Sequence, residues 1–213
     1  AQIDAGVLVL ADGYPSETTL VDVDLFARAK NKNLRLYIEY PRELPGTIIG
    51  EPLHAHSERG VVASDIFGDQ LARTRILGIH DCSYVPLETR SPWIVLATVA
   101  GFDTAVYGIP SDARALLFEY GPTNSLVATT KLSQMITGRY APHEAWPIIW
   151  NTVLAWVNGG TPLPNLRFGA SVHSSYGPAD ALPEDHEKDA VLRGVNWYKN
   201  ARMLVHESWL SRL

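Results

Sequence analysis

The segment from Pro92 to Gly160 constrains the fold more than any other part of the sequence. It opens with the apolar run Trp93–Leu96, which leads through small residues into a glycine turn and is typical of a buried strand. Further on, Ala115–Tyr120 and Leu126–Thr130 flank the turn sequence G-P-T-N, which predicts an antiparallel pair of strands. A long helix follows. This order of elements predicts an α/β domain.

The helix at the end of this segment has the clearest pattern in the chain. Pro147 suits its first turn, where backbone N–H groups have no partner within the helix, and the sequence N-G-G predicts its end. We place a domain boundary after Gly160. One buried face is predicted from four apolar residues: Trp146, Trp150, Val153 and Val157.

The first half of the chain predicts further strands. Gly6–Leu10 is a continuous apolar run, which predicts a central strand buried on both faces. Leu34–Tyr40 alternates between apolar and polar residues and stops at a proline. Two shorter runs, Val61–Ser64 and Ile76–Ile79, are also of β type.

The intervals between these strands are long enough for crossover connections. One of them predicts a helix that reaches about Lys30, with Ser16, Thr18 or Thr19 as its N-cap and with Leu20, Val23, Phe26 and Ala27 on one face. Such intervals favour parallel pairing over hairpins. The sequence therefore predicts a three-layer fold with a mostly parallel, doubly wound sheet over residues 1–160.

Residues 161–213 differ in composition from the first 160. They begin with proline-rich and turn-forming sequences, which predict an extended linker or strap. An amphipathic pattern from Asp185 to about Leu210 then predicts a C-terminal helix, which either packs on the domain's own sheet or starts a following domain. The second alternative makes the chain a fragment of a longer protein.

Composition excludes several classes of partner. Eighteen basic and twenty-three acidic residues give a net charge of −5, and no Lys/Arg block offers a surface for nucleic acid. No apolar run approaches the roughly 20 residues that cross a bilayer. Cys82 is the only cysteine, which excludes an internal disulfide framework but leaves the compartment open. We expect no signal peptide within this chain.

In open α/β sheets, ligands bind at the carboxyl ends of the strands, so the loops that follow the strands are the places to search. Polar and aromatic side chains in or near these loops are the candidates for ligand binding, and a carbohydrate-binding module would use them. The candidates are Asp12, Tyr14, Asp65, Tyr84, Arg139 and Tyr140.

A second candidate site is a thiol nucleophile. Cys82 would attack, His80 or His143 would serve as its base, and Asp81 or Glu144 would orient that base. The surrounding sequence H-D-C-S-Y lacks the small residues that lift a nucleophile clear of a turn. A buried thiol that acts as a small apolar side chain is the favoured interpretation.

Metal and acid–base chemistry have weaker signals. His54 and His56 could chelate from one strand face, but no third ligand has a recognisable spacing, so we expect neither a metal nor a cofactor. Trp93 and the three tryptophans of the long helix, Trp146, Trp150 and Trp156, are expected to be core residues rather than sugar platforms. Carboxylate pairs for glycoside hydrolysis could be drawn from Asp12, Glu39, Asp65, Asp81 and Asp103, but sequence does not give their separation.

Two motifs resemble those of class I glutamine amidotransferases. The sequence A-T-V-A-G-F-D resembles their nucleophile elbow G-x-C-x-G-x-Q, with Val99 at the nucleophile. The sequence L-V-A-T-T-K-L falls where that family has F-H-P-E, which places Thr130 at the catalytic histidine and Leu132 at the glutamate. All three catalytic positions are replaced.

The resemblance covers residues 5–158 and implies a flavodoxin-like, amidotransferase-like domain without amidotransferase activity. The domain resembles inactive domains in the trehalose-utilisation-like group. It also resembles the N-terminal region of large bacterial glycoside hydrolases, whose next domain is an α/α barrel. The implied role is that of a non-catalytic accessory domain in polysaccharide degradation. The implied partners are the adjacent catalytic domain and an oligosaccharide or polysaccharide. The implied compartment is secreted or periplasmic.

Overall fold

The computed structural model describes residues 1–79, 82–101, 103–137 and 145–163. The linker and the C-terminal helix predicted for residues 161–213 therefore lie almost wholly outside the described residues. The strands are β1 Gly6–Val9, β2 Arg35–Glu39, β3 Leu53–His54, β4 Arg59–Val62, β5 Ser83–Tyr84, β6 Ile94–Ala97, β7 Arg114–Tyr120 and β8 Ser125–Ala128. The α-helices are α1 Val23–Asn31 and α2 Ala145–Val157, and short 3-10 helices span Asp65–Phe67, Asp69–Leu71, Gly121–Thr123 and Leu132–Thr137.

The main sheet has six strands in the order β1-β2-β8-β7-β6-β4, and β3 pairs with β5 in a separate small sheet. The β1–β2 and β2–β8 pairs are parallel. The β8–β7, β7–β6 and β6–β4 pairs are antiparallel. The fold is α/β, as predicted, but the sheet is mixed, so the prediction of a mostly parallel sheet is wrong. Its second half is built from antiparallel neighbours, of which only β7 and β8 are joined by a short turn.

The predicted central strand Gly6–Leu10 is in fact the edge strand β1. It pairs only with β2 in the main sheet. Leu8 and Leu10 remain 43% and 41% exposed, so the strand is not buried on both faces. A continuous apolar run was therefore a poor guide to strand position, because it does not specify which neighbours the strand will have.

Helix α1 is shorter than its sequence pattern predicted. It begins after Asp22, whose side chain accepts a hydrogen bond from the backbone N–H of Asp24 at 2.9 Å, so the predicted caps Ser16, Thr18 and Thr19 are wrong. The helix buries Phe26 and Ala29. Leu20, Val23 and Ala27, which were predicted for the buried face, are exposed.

Alternate residues of β2 and β8 pack against different helices. Leu36, Ile38 and Val127 share a hydrophobic cluster with Phe26 of α1. Their neighbours Tyr37, Leu126 and Ala128 share another with Trp146 of α2. Since successive side chains of a strand point to opposite faces, α1 and α2 cover opposite faces of the sheet.

The predictions for the hairpin and for α2 are confirmed. Strands β7 and β8 pair antiparallel around the turn that contains G-P-T-N. Helix α2 buries the four predicted apolar residues Trp146, Trp150, Val153 and Val157. Burying one such large side chain stabilises the fold by roughly 1.5–3 kcal/mol, so this face anchors the helix to the sheet.

The predicted strand Ile76–Ile79 does not form a regular strand. Its backbone instead runs beside β4, with Leu77 N–H donating to Gly60 O at 2.8 Å and a single bridge between Val61 and Ile76. Positive φ angles at Gly78 (78°) and Ile79 (59°) end the extended conformation. This segment covers the outer edge of β4.

Helix α2 approaches β1 where the strand has no side chain. A Cβ atom added to Gly6 would lie 2.7 Å from the backbone oxygen of Val157 and would also overlap the Val157 side chain. Gly6→Ala should therefore lower the free energy of unfolding by about 1–3 kcal/mol, as overpacking does. Urea denaturation measures this as a lower midpoint at unchanged m-value.

The matched control for this substitution is Gly121→Ala, because a Cβ atom at Gly121 would have nothing within 4 Å and its φ is not positive. We expect its midpoint to stay close to that of the unmodified protein. Equal midpoints for the two variants would contradict the close approach of α2 to β1.

Candidate functional site at the carboxyl ends of the strands

The parallel strands β1, β2 and β8 end side by side at one edge of the sheet. Helix α1 precedes β2 on one face, and α2 follows β8 on the other. In α/β sheets this change of face is where a crevice opens for ligands. The carboxyl ends of β2 and β8 are therefore the position at which a ligand site would be expected.

A buried carboxylate, that of Glu39, occupies this position. The side chain is fully buried at the last residue of β2. Both carboxylate oxygens accept hydrogen bonds from three segments of the chain. The donors are the Tyr37 hydroxyl at 2.9 Å, the Ala11 N–H at 3.3 Å, the Ser133 N–H at 2.7 Å and the Ser133 hydroxyl at 2.9 Å.

These four donors explain how an acidic side chain can be buried. A buried carboxylate is costly unless hydrogen bonds replace its water shell. An ionised carboxylate accepts only, and every group that contacts Glu39 here is a donor. Burial, together with the negative charge of Glu39 and the hydrogen bond to it, raises the pKa of Tyr37 well above its ordinary value of 10.0.

The same groups tie the loop after β1 to the segment after β8. Ala11 donates its N–H to Glu39, and its carbonyl accepts a hydrogen bond from the Lys131 ammonium group at 2.8 Å. Ser133 lies in the 3-10 helix that leads from β8 toward α2. The loops at the switch point are therefore bonded to each other through Glu39.

Tyr14 forms a second polar cluster beside Glu39. Its hydroxyl accepts the Ser83 N–H at 2.7 Å, lies 3.2 Å from the Ser83 carbonyl and lies 3.4 Å from the Thr130 hydroxyl. Burial raises the pKa of Tyr14 above its ordinary value. The ring packs edge-on against Tyr40, with centroids 5.0 Å apart. The sequence-predicted residues Tyr14 and Thr130 thus meet, with their hydroxyls directed at each other and at the backbone.

The thiol of Cys82 is fully buried. A thiol nucleophile must meet its substrate from solvent, so this burial favours the interpretation of Cys82 as a small apolar side chain. His80, Asp81, His143 and Glu144, which would complete the thiol site, lie outside the described residues.

The three positions that resemble a catalytic triad do not converge. Thr130 and Leu132 are buried in the segment after β8. Val99 follows β6, and β7 lies between β6 and β8. Two strand spacings separate β6 from β8, which is roughly 10 Å. Val99 and Leu132 have no reactive group, and the buried Thr130 hydroxyl lies 3.4 Å from the Tyr14 hydroxyl.

Arg59 fixes the turn that follows β6. Its guanidinium donates to the carbonyl of Gly101 at 2.7 Å and to the carbonyl of Val99. Gly101 has a φ of 124°, and a Cβ atom there would overlap the carbonyl of Thr104. The turn is therefore held with its carbonyl oxygens directed at Arg59, and burial lowers the pKa of that arginine.

The remaining ligand-binding candidates are dispersed. Asp12 is exposed in the loop after β1, close to the Glu39 cluster. Asp65 is exposed in a 3-10 helix that follows β4, the opposite edge strand. Tyr84 is buried in β5. Arg139 and Tyr140 lie outside the described residues.

The histidine pair is exposed and has no recognisable metal geometry. The rings of His54 and His56 lie edge-on, with centroids 5.0 Å apart. Within residues 1–79, 82–101, 103–137 and 145–163, no group of three or more potential ligands could hold a metal ion. The backbone N–H groups of His56 and Ser57 donate to Glu58 and help to lower its pKa.

Other carboxylates and the aromatic residues are also accounted for. Asp103 forms an ion pair with Arg75 at 3.6 Å. Trp93, Trp146 and Trp150 are buried, and Trp156 packs against the core beneath the Arg35 guanidinium at 5.3 Å, so these predicted core residues are confirmed. No described helix has the length and apolar character needed to cross a bilayer.

Sequence reasoning named Glu39 only as one carboxylate among several, and it did not identify Ser133 or Lys131. The available signal was an acidic residue between Ile38 and Tyr40 in a strongly apolar strand. A buried acid in such a strand requires several donors, and these come from residues distant in sequence.

Searches against family models, curated proteins and solved structures found no match for this chain.

Glu39→Gln tests the carboxylate network. The amide nitrogen of glutamine cannot accept a hydrogen bond, so at least one buried donor loses its partner. We expect the free energy of unfolding to fall by about 1–3 kcal/mol, measured by urea denaturation. The control Glu43→Gln changes an exposed side chain and should alter stability by less than about 0.5 kcal/mol. Equal stability of the two variants would contradict the network.

Proposed function

We propose that this chain is a non-catalytic, amidotransferase-like domain that accompanies the catalytic domain of a multidomain glycoside hydrolase. The proposal includes a doubly wound, flavodoxin-like layout for the domain. It is supported by α1 and α2, which cover opposite faces of the sheet. The catalytic positions of the resemblance hold Val99, Thr130 and Leu132. The hydrolytic chemistry then belongs to the neighbouring domain.

The observation that carries the proposal is the bonding of Glu39. At the switch point of an α/β sheet, polar groups that serve a substrate must be free to contact it. Here the Glu39 carboxylate is fully buried, and both of its oxygens accept hydrogen bonds from Tyr37, Ala11 and Ser133. The crevice at the ends of β2 and β8 is therefore used to join loops, which suits a structural domain.

The proposed partners follow from the resemblance. The catalytic domain of the same polypeptide would pack beside this domain, and a polysaccharide would be its substrate. A secreted or periplasmic location belongs to the same proposal. No cofactor enters it, because a structural role needs none.

The rival hypothesis is a cysteine-dependent hydrolase or transferase that uses Cys82. We expect the native protein to be inert toward a thiol-reactive disulfide reagent, because the thiol is buried. In urea, one thiol per chain should react. We also expect no hydrolysis of glutamine or of neutral polysaccharides by the isolated chain. Turnover that Cys82→Ser abolishes would overturn the proposal.

The genomic reading frame tests the proposed neighbour separately. An α/α-barrel hydrolase domain encoded directly after residue 213 supports the proposal. A stop codon at that position, together with the absence of a hydrolase domain upstream, contradicts it. If the neighbour is present, deletion of residues 1–160 should lower the thermal stability of the hydrolase, because buried interdomain surface is lost.

A further inference from the structure

A cleft of about 400 Å³ lies beside the start of β6, away from the Glu39 cluster. Its volume falls in the range of small-molecule sites. The lining residues come from three separate stretches of the chain, so the cleft is a product of the fold. The lining residues are Ser64, Thr89, Arg90, Ser91, Trp93 and Glu119.

The base of the cleft is fixed in place. Trp93 is 5% exposed and packs edge-on against Phe67, with centroids 6.0 Å apart. Its backbone N–H donates to Leu117 O at 2.7 Å, and its carbonyl accepts the N–H of Ala63 at 2.8 Å. Ring packing and two backbone hydrogen bonds therefore fix the Trp93 side of the cleft, whereas Arg90, Ser91 and Glu119 are exposed to solvent.

The lining side chains supply both donors and acceptors. Ser64, Thr89 and Ser91 carry hydroxyls, which donate and accept. The Ser64 oxygen accepts the N–H of Ile66 at 3.3 Å, which leaves its own O–H to donate. The Arg90 guanidinium only donates, and an ionised Glu119 only accepts. This set matches a ligand whose groups also donate and accept, as sugar hydroxyls do.

The charges of the lining balance each other. Arg90 carries a positive charge and Glu119 a negative one, so an anion or a cation would be attracted by one side chain and repelled by the other. An uncharged ligand meets no repulsion and can form hydrogen bonds with both. We propose that this cleft binds a neutral polyhydroxylated ligand of the saccharide class. This inference goes beyond the proposed function, because a structural domain requires no ligand site.

An NMR titration tests the proposal on the whole chain. The probes are maltohexaose, cellohexaose, xylohexaose and laminarihexaose at millimolar concentration, with inorganic phosphate as the anionic comparison. We expect at least one oligosaccharide to shift the backbone resonances of the lining residues, and we expect phosphate to leave them unchanged. The proposal is overturned if no oligosaccharide shifts these resonances, or if phosphate shifts them more strongly.

Two variants assign the binding to the cleft. Arg90→Ala and Glu119→Ala each remove a charge-assisted hydrogen bond to the ligand and should weaken binding by roughly tenfold or more. The matched controls are Arg114→Ala and Glu88→Ala. These two residues form an arginine–glutamate ion pair outside the cleft lining. We expect unchanged affinity for both controls. Affinity that survives both cleft substitutions would overturn the assignment.

Failure of this titration leaves the proposed structural role untouched, since that role is tested by the reading frame and by turnover.

Discussion

The hydrogen bonding of the Glu39 carboxylate is the interaction on which the arrangement of the strand ends depends. It joins the loop after β1, the end of β2 and the segment after β8, which come from three distant parts of the chain. Burial of a carboxylate is costly unless hydrogen-bond donors replace its water shell. Because the donors to Glu39 come from these loops, the loops are held together. The same bonds occupy the place at which an α/β sheet would otherwise receive a ligand.

Features with a local cause could be predicted from the sequence. The β7–β8 hairpin follows from the turn chemistry of G-P-T-N between two apolar runs, and α2 follows from the helical spacing of Trp146 and its apolar neighbours. The α/β class follows from the order of these elements. In each of these cases the signal and the structure lie within about twenty residues of each other.

Features that depend on distant partners could not be predicted. The run Gly6–Leu10 gave no sign of being an edge strand, because strand order is decided by pairing across the sheet. The expectation of a parallel sheet failed for the same reason, because β7 and β4 run opposite to the other four strands of the main sheet. Glu39 was visible as an acid in an apolar strand, but its donors at Ala11 and Ser133 are set by the fold. The candidate cleft likewise combines residues from three stretches, none of which carries a motif.

Native-state hydrogen exchange of the Ala11 and Ser133 amides tests the central claim most directly. Both N–H groups lie outside the strands yet donate to the buried Glu39 carboxylate. We predict that they exchange only through global unfolding, with protection equal to that of the β2 core amides, and that Glu39→Gln selectively reduces this protection. If both amides exchange as fast as the amide of the exposed loop residue Gly13, the carboxylate does not hold the strand ends together.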